Sequence, residues 1–134
     1  MRNALIALAI LAATPAYADR AWQLKSFNET IVITTGNTYQ AVSSGTQAMQ
    51  SLTIQNNNTT PADNCWIDIS GVVTAGMTTA SSVTTNGQVT TTAEKASILL
   101  TPGTLYQRYW PGIPTGPITA TCVTTGDSIY VDWQ

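Results

Sequence analysis

Two cysteines, seven carboxylates and a tight group of aromatic residues are the side chains on which chemistry could rest. Histidine is absent. Without it the chain lacks the commonest general base, the commonest metal ligand and the usual nucleophile triads. The carboxylates are Asp19, Glu29, Asp63, Asp68, Glu94, Asp127 and Asp132. Glycoside hydrolysis needs two such groups facing one bond at a set separation. These seven form no recognisable signature, and several stand beside turn residues, where Asp ordinarily caps backbone N–H groups. An enzyme would have to gather at least two of Asp68, Glu94, Lys95 and Asp127 in one cleft. Asp63 with Asn64, or Asp127 with Asp68, could offer oxygens to Ca²⁺, but no regular Asp-x-Asp loop supports a site. No nucleophile elbow, P-loop or dinucleotide-binding glycine motif occurs. The expectation is no catalytic residue, no metal site and no cofactor, with a small hydrolase the least favoured reading.

The aromatics carry more information. Tyr106, Arg108, Tyr109 and Trp110 fall within five residues, just before two prolines. On a strand, Tyr106, Arg108 and Trp110 share one side. Tyr, Trp and Arg dominate binding hot spots, and exposed rings stack on sugars. These four are therefore the candidate binding face. The alternative is that they close one end of the core, with Arg108 stacked on a ring or paired with an Asp.

The first eighteen residues read as an address. Met1-Arg2-Asn3 is a short positive start, residues 4–13 are unbroken apolar, Pro15 breaks the helix, and Ala16-Tyr17-Ala18 fits a signal-peptidase site. The run is too short to span a bilayer, and no second run approaches that length. The expected organisation is a secretory signal at 1–18 and one domain at 19–134, periplasmic or extracellular. In an oxidising compartment Cys65 and Cys122 should pair. Each sits on an apolar strand face, Cys65 with Ile67 and Ile69, Cys122 with Ala120 and Ile118. The alternative is two buried thiols. A catalytic thiolate lacks a basic neighbour, and two cysteines fall short of a zinc site.

The elements that would position these residues are strands. After the leader no 3.6-residue apolar period persists, and Thr, Val, Ile, Tyr and Trp recur in short runs between turn residues. The runs are 30–35, 38–43, 50–55, 65–69, 96–100, 105–110, 118–123 and 128–133, the last two joined as a hairpin through Thr124-Thr125-Gly126-Asp127. Residues 72–93 are poor in bulky side chains and contain Asn86-Gly87, a strong hairpin cue. They read as a projecting hairpin that touches a partner, or as a weakly packed edge. About seven to nine short strands at this spacing predict an all-β antiparallel sandwich, Ig-like or jelly-roll-like. Only 9% of residues are charged and the net charge is −2, so there is no basic footprint for nucleic acid. Asn28-Glu29-Thr30 and the overlapping triplets at Asn57 and Asn58 fit the glycosylation acceptor pattern, and read as incidental in so Thr- and Asn-rich a chain.

Several turns in succession carry a resemblance. Leu52-Thr53-Ile54-Gln55-Asn56-Asn57 is followed by Cys65-Trp66-Ile67, Leu99-Leu100-Thr101-Pro102-Gly103, Tyr106-Gln107-Arg108-Tyr109-Trp110-Pro111 and Thr125-Gly126-Asp127-Ser128-Ile129-Tyr130-Val131. This order resembles small β-sandwich surface, fibre or decoration proteins of tailed phages and prophages. The resemblance implies a virion-surface or phage-derived structural module and carries over no site residues. The functional expectation is an exported, non-enzymatic structural or binding module whose partner is a protein surface or a copy of itself. The alternative is a carbohydrate-binding or adhesive module using the aromatic face.

Overall fold

The computed structural model describes residues 27–43, 50–85, 87, 89–109, 111–114 and 116–134. The expected leader lies outside the described residues, as do Asn86 and Trp110. Ten strands appear in chain order: β1 (Phe27–Val32), β2 (Gln40–Ser43), β3 (Ser51–Asn56), β4 (Cys65–Asp68), β5 (Ser82–Thr85), β6 (Val89–Thr92), β7 (Ile98–Leu100), β8 (Leu105–Tyr109), β9 (Ile118–Cys122) and β10 (Ser128–Trp133). A single helical turn, α1 (Ala93–Ala96), precedes β7.

Eight of the strands form two four-stranded sheets. The front sheet runs β1-β10-β3-β8 and the back sheet runs β2-β9-β4-β7, every pair antiparallel. With the β5–β6 hairpin set aside, the front sheet holds the first, eighth, third and sixth strands. The back sheet holds the second, seventh, fourth and fifth. That succession is a jelly roll, two Greek keys folded into facing sheets. The expected antiparallel sandwich is thus the observed fold.

Period-two alternation explains which residues face inward. In β3, Leu52, Ile54 and Asn56 are buried while Ser51, Thr53 and Gln55 are not. Ile129 and Val131 of β10 lie directly opposite Asn56 and Ile54. From the back sheet Cys65, Ile67, Ile118, Ala120 and Cys122 meet them in one core. Cys65 faces Cys122 across β4 and β9, Ile67 faces Ala120, and the two sulfurs are bonded. The bridge closes a separation of 57 residues, which the chain-entropy model values at roughly 4 kcal/mol.

β9 departs from alternation, being buried at every position. Its inward residues fill the sandwich, and Thr119 and Thr121 point the other way into a second core. Tyr39, Val73, Val83 and Ala93 form that core, with Trp66, Val72, Met77 and Ala96 packed against it. The described residues of 70–97, including the β5–β6 hairpin and α1, therefore fold over the back sheet as a roof. Within the expected 72–93 segment the hairpin is β5–β6, but it neither projects nor packs weakly: it supplies the buried Val83 to this core, and α1 supplies Ala93. Segment 37–39 laces the roof down: Tyr39 N–H donates to Met77 O, Gly76 N–H to Tyr39 O and Thr79 N–H to Asn37 O.

The expected hairpin of 118–123 with 128–133 is not formed: β9 lies in the back sheet and β10 in the front one, so the turn between them crosses from sheet to sheet. Several strand boundaries also shift, and two of the shifts have a visible cause. The run at 30–35 becomes β1 at Phe27–Val32, because the chain must leave the front sheet and cross to the back one. Gly36 makes the corner. A Cβ there would collide with Val123 O, and Gly36 N–H donates to Thr125 Oγ1 at 2.9 Å. The strand expected at 96–100 begins at Ile98, since Ala93-Glu94-Lys95-Ala96 are good helix formers and take the preceding turn.

Candidate functional site

β8 is an edge strand of the front sheet, and it carries three of the four candidate binding residues. Its pairing with β3 sets their directions. Leu52 lies opposite Arg108 and Ile54 opposite Tyr106, so Tyr106 and Arg108 stand on the core side of the sheet. Tyr106 packs against the core. Arg108 Nε donates to Tyr106 Oη at 2.7 Å, and its guanidinium carbon is 5.5 Å from the ring centroid. Tyr109 lies on the opposite, outward face and is 62% exposed. The structure thus joins Tyr106 with Arg108 as expected and turns Tyr109 away from them. Trp110 is outside the described residues.

Tyr109 belongs to a larger surface. The outward residues of the front sheet stand in rows across four strands. One row is Asn28, Asp132, Thr53 and Gln107, and the next is Thr30, Tyr130, Gln55 and Leu105. Ser51 stands beside Tyr109. All of these are exposed or half-buried. The face is built of hydroxyls, amides, two tyrosines and Leu105, with Asp132 as its single charge. Asp132 Oδ1 is closed off from water and has no hydrogen-bond partner.

The buried carboxylates are bound into backbone. Asp68, 1% exposed, accepts hydrogen bonds from Ser70 N–H and Ser70 Oγ on one oxygen and from Val73 N–H on the other. It anchors the start of the roof. Asp127 accepts from Thr124 N–H in the β9–β10 turn. Burial lifts its carboxyl above the usual Asp value, the Thr124 bond opposes this, and the negative charge of Asp63 adds to it. Glu94 and Lys95 are exposed on α1. Among the described residues no group of three or more His, Cys, Asp or Glu is placed to hold a metal ion. Nor is any helix among them long and apolar enough to cross a membrane.

Two polar centres escape a reading of the sequence as strands and loops. Asn56 ends β3 on its inward face, fully buried, and uses every valence of its amide. Its Nδ2 donates to Asp63 O at 2.8 Å and Leu100 O at 2.9 Å, and its Oδ1 accepts from Asn58 N–H and Nδ2. Asn58 Oδ1 in turn accepts from Ser128 N–H at 2.9 Å. Together they tie β3, the β4 approach, β7 and β10 at one end of the sandwich. The signal was present: Asn56 keeps the parity of Leu52 and Ile54. The second centre is Tyr39, whose Oη donates to Ser97 Oγ at 2.7 Å while Ser97 Oγ donates to Ala93 O at 2.8 Å. Burial, aided by the charges of Asp68 and Glu94 and opposed by the Ser97 bond, pushes the Tyr39 phenol up to about 12.

Comparison with protein-family models, with curated proteins and with solved structures finds no match in any of the three.

Proposed function

We propose that the chain is an exported, non-enzymatic structural or binding module that holds a protein surface through the open face of its front sheet. The contrast between the two sheets carries this reading. The roof covers the back sheet, whereas the front sheet presents rows of hydroxyls and amides flanked by Leu105 and Tyr109, 54% and 62% exposed. Tyr-containing, charge-poor surfaces of this kind suit protein recognition. The paired cysteines agree with an oxidising compartment and hence with the signal read at 1–18. A phage-derived origin is part of the proposal, supported by the turn motifs, with Gly103 and Gly126 both at positive φ in the turns that carry the resemblance.

A photo-crosslinking amino acid placed at Thr30 or Gln55, on the open face, tests the reading against the same probe at Glu94 on the roof. The exported protein should start at Asp19 by mass, and adducts should form from the front-sheet positions alone. Adducts from the roof alone, or an uncleaved cytoplasmic product, would overturn it.

The two tyrosines of the open face, Tyr109 and Tyr130, favour one second reading, a glycan ligand. An exposed ring stacks on the C–H face of a sugar, and the hydroxyls and amides of the same face bond its hydroxyls. Under this reading soluble oligosaccharides change the intrinsic fluorescence, and Tyr109→Ala abolishes the change.

A further inference from the structure

The open edge of β8 has a side-chain order that matches itself when reversed. Read from either end, Leu105-Tyr106-Gln107-Arg108-Tyr109 places an apolar or aromatic residue at the outside, Tyr106 against Arg108 next, and Gln107 at the centre. Among the described residues no strand pairs with its far side. Backbone parity agrees with this symmetry. Ser51 and Gln134 exchange N–H···O bonds, so the odd residues of β3 bond β10 and its even residues bond β8. Leu52 and Ile54 therefore bond Arg108 and Tyr106, and the N–H groups of Leu105, Gln107 and Tyr109 point to the open edge. Natural edge strands are usually guarded by charge, Pro or a bulge. The only charge here, Arg108, is turned back onto Tyr106.

We propose that β8 is the seam of a two-fold dimer, in which two copies pair these strands antiparallel about Gln107 and join their front sheets into one sheet of eight strands. In this register Gln107 meets Gln107 of the second copy as a hydrogen-bonded pair. Tyr109 O already accepts from Gly112 N–H at 2.9 Å, so Leu105 and Tyr109 of the second copy are joined through Tyr109 N–H donating to Leu105 O, and the full two-way exchange is confined to Gln107. Tyr106 and Arg108 fall opposite each other as a non-hydrogen-bonded pair, where side chains approach closest. Arg108 spends its Nε on its own Tyr106, leaving the other guanidinium N–H groups for the Tyr106 hydroxyl of the second copy. A contact that one two-fold axis satisfies twice is what a closed dimer requires. The inference goes beyond the open-face reading and does not rest on it.

Sedimentation equilibrium on the disulfide-intact protein, from low- to high-micromolar concentration, tests it. The wild type should reach the mass of a dimer. Gln107→Pro removes an N–H that faces the open edge, a place where sheets tolerate Pro, together with the exposed side-chain bond from Gln107 Nε2 to Thr53 Oγ1. It should keep the far-UV circular dichroism while weakening association roughly tenfold or more, because symmetry counts the lost bond twice. The double change Leu105→Lys and Tyr109→Lys, confined to exposed side chains, should also give monomer, and it decides the matter if Gln107→Pro does not fold. A wild type that stays monomeric, or a dimer that persists in the folded variants, overturns the proposal. Either result leaves the crosslinking at Thr30 and Gln55 to judge the open face separately.

Discussion

Asn56 is the buried residue whose replacement should be felt most. Substitution by Ala leaves Asp63 O and Leu100 O without their donor and Asn58 without its acceptor. Each buried polar group left unpaired costs about 1–3 kcal/mol, so urea unfolding should show a loss of about 3 kcal/mol or more. Asn56→Asp keeps the shape and the acceptor but loses both donors and sets a carboxylate against two carbonyls. Its folded-state pKa then lies above the unfolded one, so stability improves as pH falls and the acid regains a proton to donate. A variant whose stability falls on acidification through that range would contradict this account. Tyr39 gives a second test at the same scale. Below pH 10 its phenol is protonated whether the chain is folded or not. Between 10 and about 12 the unfolded chain releases the proton and the folded chain keeps it, so stability falls with rising pH, by about 3 kcal/mol in all. Tyr39→Phe should remove that alkaline loss, and the late step in absorbance at 295 nm, while costing about 1 kcal/mol at neutral pH for the bond to Ser97.

The pairing of β4 with β9 decides the fate of the cysteines. Because Cys65 and Cys122 stand directly opposite across the back sheet, their union asks for no rearrangement of either strand. Replacing both with Ala should lower the unfolding free energy by about 4 kcal/mol, as read by denaturant titration, and reductant should destabilise the wild type similarly. Unreduced protein should take up no thiol reagent even when denatured. Alternation within each run made these inward faces legible: Cys65 with Ile67, Cys122 with Ala120, Leu52 with Ile54. The same alternation placed Tyr106 with Arg108. What alternation could not reveal is the roof. Thr119 and Thr121 look like solvent-facing positions, and they are buried because Val83, Val73 and Tyr39 arrive from distant segments to cover them. No local pattern in β9 announces that arrival. Gly36 stands as a turn residue between the runs 30–35 and 38–43, but that its turn carries the chain from one sheet to the other, and that Ala93–Ala96 forms a helical turn, was hidden similarly.

For the whole molecule, the jelly roll pairs strands that lie far apart in the chain. β1 pairs with β10 and β2 with β9, so much of the sheet forms only after long loops have closed. Refolding followed by tryptophan fluorescence, with the disulfide intact, should take milliseconds to seconds rather than microseconds. The order of residues by itself determined that the body is all-β, which side of most strands faces inward, and which two sulfurs could meet. Those follow from a two-residue period and from turn chemistry, both of which act over a few neighbours. Which strands lie side by side, why β9 is buried on both faces, and why the described residues roof the back sheet and not the front one were decided only by the tertiary structure. A period of two sets the face of a residue but not the partner of its strand; partners come from packing between segments that lie far apart in the chain.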